Sequence, residues 1–215
     1  MESKTRKLAT LAMLSAFAFI VMAVGRIPVI LFLKYEPKDV IITIGGFLFG
    51  PLSAFAISAV VSLVEMVTVS DTGVIGCLMN VISTCAFVCT ASAIYKKKHS
   101  MKGAVLGLLC GIVIMTGIML LWNYFITPFY MGYPREAVAD LLLPAFLPFN
   151  LLKGFLNAAL ILLIYKPVVS ALRKAKLVPP SESTSSKNRN LGILLVAIAT
   201  VATCVLLVLV LQGIL

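Results

Sequence analysis

Gly45-Gly46-Phe47-Leu48-Phe49-Gly50-Pro51 interrupts an apolar stretch that runs from Asp39 to Thr68. Read as one helix, the stretch crosses a membrane once; read as two, it crosses twice. Proline disfavours helical geometry in the residue before it. Glycine supplies the backbone freedom that a tight turn needs. Gly50-Pro51 therefore marks a turn between a short helix at about 39–49 and a longer one at about 51–68. Charge parity points the same way. Lys4, Arg6 and Lys7 precede the first apolar run, Lys96, Lys97, Lys98 and Lys102 fill a later loop, and Arg173, Lys174, Lys176, Lys187 and Arg189 follow a third boundary. With two helices all three basic groups fall on one side. The positive-inside rule makes that side the cytoplasm. One helix would put the Lys96–Lys102 loop outside.

Composition sets the class. Hydrophobic residues make up 61% of the chain and charged residues 12%, about half the charge of an ordinary soluble domain. Mean hydropathy is +1.09. Runs of 18 or more apolar residues read as transmembrane helices. Their lack of alternation excludes a barrel. The net charge of +10 resides in the orienting loops and implies no nucleic acid.

The expected fold is an all-α integral membrane bundle. Spans fall at about 8–25, 39–49, 51–68, 73–95, 103–127 and 145–170, with an additional one at about 191–213. Three regions follow: a six-helix membrane domain over 1–175, a flexible polar linker over 176–190 and the extra helix over 191–215. The basic start and the apolar run Leu8 to Gly25 resemble a signal peptide. The length of the run favours an uncleaved first span with its N-terminus in the cytoplasm. The location implied is the cell membrane.

This topology gathers polar residues at one depth. Glu36 and Asp39 lie at the outer end of the second span and Glu65 near that of the third. Asn80 is in the outer half of the fourth. Asn123 is near the outer end of the fifth, and Asn150 and Lys153 near that of the sixth. A lysine at membrane depth costs roughly 2.5–3.5 kcal/mol on insertion scales. It faces a partner or ligand, or it snorkels to the headgroups; the residue alone leaves both readings open. Polar groups from distant positions at one depth are most simply explained by an externally open pocket.

Other features have plainer readings. Ala12-Met13-Leu14-Ser15-Ala16, extended by Ala9, is a small-residue face suited to close helix approach, either within the protein or to a partner. Gly107-x-x-x-Gly111 reads as internal packing. Tyr124, Phe125, Phe129, Tyr130 and Tyr133 read first as an interfacial belt. Tyr124, beside Asn123, also suits stacking on a flat ring. The five cysteines lie in apolar runs and read as packing residues. His99 is the single histidine and sits in the basic loop, so no intramembrane histidine pair exists for a metal. No Walker A loop, HExxH or GxSxG motif is present, and neither an enzyme nor a resident cofactor is expected.

Leu33-Lys-Tyr-Glu-Pro-Lys-Asp-Val40, Gly46-Phe-Leu-Phe-Gly-Pro51, Gly76-Cys-Leu-Met-Asn80, Trp122-Asn-Tyr-Phe125 and Pro148-Phe-Asn-Leu-Leu-Lys-Gly154 occur in that order. The combination resembles the substrate-binding S component of energy-coupling factor (ECF) transporters, riboflavin-specific type, over roughly residues 5–172. The resemblance implies six helices around a vitamin pocket and no catalytic activity. It implies riboflavin or its phosphate FMN as ligand, and as partners a membrane T component carrying two ATPases. On this likeness Asp39, Asn80, Asn123 and Lys153 bind substrate, and Ala12 and Ala16 form the docking face; membrane depth adds Asn150 to the expected site, adjacency to Asn123 adds Tyr124, and the small-residue face adds Ala9 to the docking set. The last span is additional to the pattern. Two alternatives stand beside it: an S component for thiamine or a pyrimidine, and a stand-alone secondary carrier. A carrier would want a midplane acid and inverted repeats, and neither is visible.

Overall fold

The computed structural model describes residues 4–31, 33–70, 72–178 and 191–212. The polar stretch 179–190 lies outside the described residues, with Asp71, Lys187, Arg189 and the end of the last expected span. Among the described residues the chain is almost wholly helical, and six helical segments are long and apolar enough to cross a membrane.

Helix α1 (Lys4–Gly25) starts earlier than the apolar run because its first turn is basic and exposed. The chain then forms a small antiparallel hairpin, β1 (Ile27–Ile30) and β2 (Leu33–Tyr35). No sequence reading anticipated it. Its strands are short, and their apolar positions merge into the neighbouring spans.

The turn at Gly50-Pro51 exists. Helix α2 (Lys38–Phe49) ends at Gly50, whose φ of 92° lies in the region that favours glycine, and α3 (Pro51–Thr68) begins at the proline. The proline occupies the helix start, where its missing N–H costs nothing. Helix α2 has 12 residues, about 18 Å of rise, well short of the ~30 Å hydrocarbon core. Every residue from Lys38 to Phe47 is buried. Helices α1, α3, α4 (Gly73–Lys98) and α8 (Leu147–Lys174) enclose it. It is the central element of the bundle and has no lipid-facing side over that stretch.

Helix α5 (Met101–Phe125) packs along α4. A Cβ at Gly107 would sit 2.7 Å from the Ala91 carbonyl oxygen, and one at Gly111 equally 2.7 Å from that of Phe87. The Gly-x-x-x-Gly face is thus internal packing. The fifth expected span ends two residues early. Pro128 stops α5 from continuing, and a short α6 (Thr127–Met131) follows. Helix α7 (Arg135–Leu141) and a π-helical turn at Leu142–Phe146 lead into α8, which runs past residue 170 to Lys174. Helix α9 (Leu191–Leu211) packs along α8 with only Ala197 and Cys204 buried. Near its end the Gln212 amide donates to the Pro28 carbonyl at 2.5 Å.

Two substitutions test the α4–α5 crossing. Gly117 is on the exposed side of α5, and a Cβ there meets nothing within 4 Å. Gly117→Ala is expected to leave thermal unfolding in detergent unchanged or raise its midpoint, since alanine is the better helix former. Gly111→Ala is expected to lower stability by about 1–3 kcal/mol in spite of that preference, because the backbones must part.

Candidate functional site

The candidate site is at the end of the bundle opposite the Lys96–Lys98 loop, and two polar networks build it. The first is a ring of alternating charge. Arg26 follows α1, Glu36 precedes α2, Lys38 is the first residue of α2, and Glu65 lies in the last turn of α3. One Arg26 nitrogen is 2.6 Å from Glu36 and 2.5 Å from Glu65. The Lys38 ammonium is 2.6 Å from Glu36 and also bonds Glu65. Two cations and two anions thus neutralise each other and pin the base of the hairpin to α2 and α3. Burial opposes charge on Glu36, and the cations Lys38 and Arg26 beside it offset that cost.

The second network centres on Asp39, which is wholly buried. Its carboxylate accepts from the Thr84 hydroxyl of α4 at 2.7 Å and the Asn157 amide of α8 at 3.3 Å, and pairs with the Lys153 ammonium at 3.2 Å. The Tyr35 hydroxyl of β2 donates to the Asn157 carbonyl oxygen at 2.8 Å.

Above these networks is a cavity of about 210 Å³. Asn80, Asn123, Asn150 and Lys153 line it, with Leu33, Met79, Met119, Tyr130 and Phe149 as apolar and aromatic walls. Asn123 is fastened to its own helix: its amide donates to the Met119 carbonyl at 2.7 Å and its oxygen accepts from Thr127 at 2.9 Å. Asn150 likewise donates to the Phe146 carbonyl at 2.7 Å. An amide has two N–H donors and two acceptor lone pairs, so each keeps capacity facing the cavity. The Asn80 side chain makes no hydrogen bond to another described residue.

Four of the six expected binding residues therefore meet at one wall. Asp39 does not line the cavity; it holds Lys153 from beneath. Tyr124 needs a correction. It stands outside the wall, against Phe125 and under Arg135, whose guanidinium carbon is 5.6 Å from its ring centre. Adjacent helical residues point about 100° apart, so Asn123 facing inward turns Tyr124 sideways. Tyr130 supplies the aromatic wall instead, while Phe125, Phe129 and Tyr133 are exposed. Lys153 is buried and paired rather than snorkelling. Ala9, Ala12 and Ala16 all lie on the exposed face of α1.

Sequence reasoning missed Arg26, Lys38, Tyr35, Thr84 and Asn157. A signal for Asn157 existed: positions 150, 153 and 157 share one helical face. Opposite charges bracketing an apolar stretch, Arg26 before it and Glu36 and Lys38 after it, were the signal for the ring.

The family model for the ECF transporter, substrate-specific component, matches residues 6–165. The chain belongs to that family. It is 28% identical over 181 residues to the riboflavin transporter RibU of Staphylococcus aureus, covering 80% of this chain and 94% of that one. To the riboflavin transporter FmnP of Bacillus subtilis it is 30% identical over 188 residues, covering 80% and 98%. A solved S component of a bacterial ECF transporter superposes with TM-score 0.67 at 28% identity, covering 80% of this chain and 99% of that chain. The chain is thus a multi-pass membrane component of a transporter and not an enzyme. The family match ends before α9.

The Asp39–Lys153 pair yields a double-mutant test. Removing one partner of a buried pair strands the other and costs about 3–5 kcal/mol. Asp39→Asn and Lys153→Met are each expected to lower the unfolding midpoint sharply. The double variant is expected to recover part of the loss, because no charge is left stranded. Additive losses would show that the two groups do not act as a pair.

Proposed function

We propose that this S component captures riboflavin from outside the cell and delivers it through a T component driven by two ATPases. The observation that carries the ligand assignment is the cavity wall, where three asparagines and Lys153 face apolar and aromatic side chains, with Arg26, Glu36 and Glu65 of the charge ring also in the wall. The isoalloxazine ring is flat and uncharged. Its pyrimidine edge alternates carbonyl acceptors with an N–H donor, which side-chain amides satisfy in both senses. The lysine ammonium has donors beyond the one directed at Asp39, available to a ring carbonyl or a ribityl hydroxyl. Leu33, Met79, Met119 and Phe149 supply the apolar faces that a flat ring needs. The names of the curated relatives support the same ligand.

The positive-inside rule supports the orientation. Lys96, Lys97, Lys98, Lys102, Arg173 and Lys174 occupy the end opposite the cavity, which puts the N-terminus in the cytoplasm and the cavity outside. The chain has no nucleotide-binding loop, so concentrative uptake requires energy from a partner. The exposed Ala9-Ala12-Ala16 face offers close approach for another helix in lipid.

Quenching of riboflavin fluorescence by the purified protein tests the ligand, with FMN and thiamine titrated in parallel. Saturable riboflavin binding is expected, and thiamine binding without flavin binding would refute the reading. Asn80→Ala is expected to weaken riboflavin binding by about 0.5–1.5 kcal/mol, the worth of one neutral hydrogen bond, with no loss of thermal stability.

Ala12→Trp with Ala16→Trp tests the docking face. Riboflavin binding by the isolated protein is expected to persist, since α1 contributes no wall to the cavity. ATP-dependent uptake and co-purification of the partner are expected to disappear. Loss of binding together with uptake would assign the face to internal packing. Full uptake by the wild-type chain reconstituted alone would remove the need for ATPases.

A further inference from the structure

A second cavity, of about 370 Å³, lies between α5, α8 and α9 and away from the polar one. Leu109, Phe155, Ala159 and Val196 are among its walls. The one hydroxyl in the wall belongs to Thr200 and is spent on the Val196 carbonyl at 2.8 Å. The lining backbone is helical, and outside the first turn of α9, at Gly192 and Ile193, its polar groups are paired internally. Water needs two to four polar partners to stay in such a place, and over the span from Leu109 to Phe155 and Ala159 this wall is built of apolar side chains. The space suits hydrocarbon.

The cavity continues towards the basic end of the bundle. A further cavity of about 220 Å³ shares Leu162 and Ile193 with it and carries Lys166 in its wall. Lys166 is exposed, and among the described residues no carboxylate lies within ion-pair distance of it. The path from Phe155 to Lys166 along α8 covers about 16 Å at 1.5 Å per residue. Half of a hydrocarbon core is about 15 Å. An apolar groove as deep as one leaflet, with an exposed ammonium at its headgroup end that meets no carboxylate among the described residues, matches a lipid with an anionic head.

We propose that this groove binds an anionic phospholipid, with an acyl chain between α5, α8 and α9 and the phosphate at Lys166. The site is formed partly by α9, which lies beyond the family match. The lipid acts as mortar between the shared bundle and its additional helix. The chain's own linker over 179–190 is a poor occupant, because after Pro179-Pro180 it is built from serine, threonine, asparagine and charged residues rather than large apolar ones.

Native mass spectrometry of the full-length protein tests this. The protein is exchanged into phosphatidylglycerol or phosphatidylcholine of identical acyl chains and then stripped by detergent. One retained lipid is expected, with phosphatidylglycerol preferred. Lys166→Gln is expected to reduce that preference about fivefold, the effect of one lysine near an anionic headgroup. Gly192→Trp fills the groove from α9, where a Cβ meets nothing within 4 Å, and is expected to lower retention of both lipids. Val113→Trp, on an exposed lipid-facing position of α5 outside the groove, is expected to leave retention unchanged. Equal retention of the two lipids by the wild type would overturn the proposal. So would unchanged retention in Gly192→Trp, or a lipid-free dimer, which would give the face to a second copy of the chain. Lys166 is exposed, so the headgroup result stands even if the tryptophan variant folds poorly.

Discussion

A carboxylate in the core of a membrane bundle is the constraint around which this structure is arranged. Asp39 belongs to the shortest of the membrane-embedded helices, and that helix is sheathed by four others. Removing an ionised carboxylate from water costs several kcal/mol unless hydrogen bonds and counter-charge replace the solvent. Helix α4 brings Thr84 and helix α8 brings Lys153 and Asn157, with Tyr35 orienting the asparagine from the hairpin. Meeting Asp39 fixes the rotation of α8 about its axis. With Lys153 and Asn157 turned inward, Asn150 one turn earlier faces the cavity too. The polar face of the site is therefore a consequence of satisfying one buried charge.

Helix α2 is too short to span the hydrocarbon core, and the hairpin occupies the remaining depth. Val29, Leu33 and Tyr35 pack into an apolar cluster with Phe146, Phe149 and Leu152 from the start of α8. The facing backbone groups of these two strands pair with each other, and the Gln212 amide donates to the Pro28 carbonyl, which meets part of the demand on non-helical backbone at membrane depth. The charge ring of Arg26, Glu36, Lys38 and Glu65 then anchors the hairpin at its base. One end of the molecule is consequently polar, enclosed and held by paired charges. The other end carries lysines that pair with no carboxylate among the described residues and suit an anionic lipid surface.

Helix α9 follows a different logic. Only two of its described side chains are buried, yet it touches both α8 and the hairpin through Val201, Cys204 and Val208. It adds to the bundle without entering its core. That is why the six-helix pattern and the superposition on a solved S component survive its presence.

The sequence by itself determined the membrane class, the turn at Gly50-Pro51, the long helices and the depth at which the asparagines and Lys153 gather. Each of these follows from hydropathy, chain parity or backbone sterics, which act locally along the chain. Its likeness to the riboflavin-type S components was legible in five short motifs. The sequence could not separate Tyr124 from Tyr130, because both are aromatic at the same membrane level, and only the break at Ile126 turns one outward and the other in. Nor could it separate a snorkelling Lys153 from a paired one, because its counter-ion is Asp39, far away in the chain. The hairpin, the charge ring and the Thr84–Asp39–Asn157 contacts were decided by tertiary structure alone. They are contacts between helices distant in sequence, and side-chain direction at such contacts depends on how the helices rotate against one another.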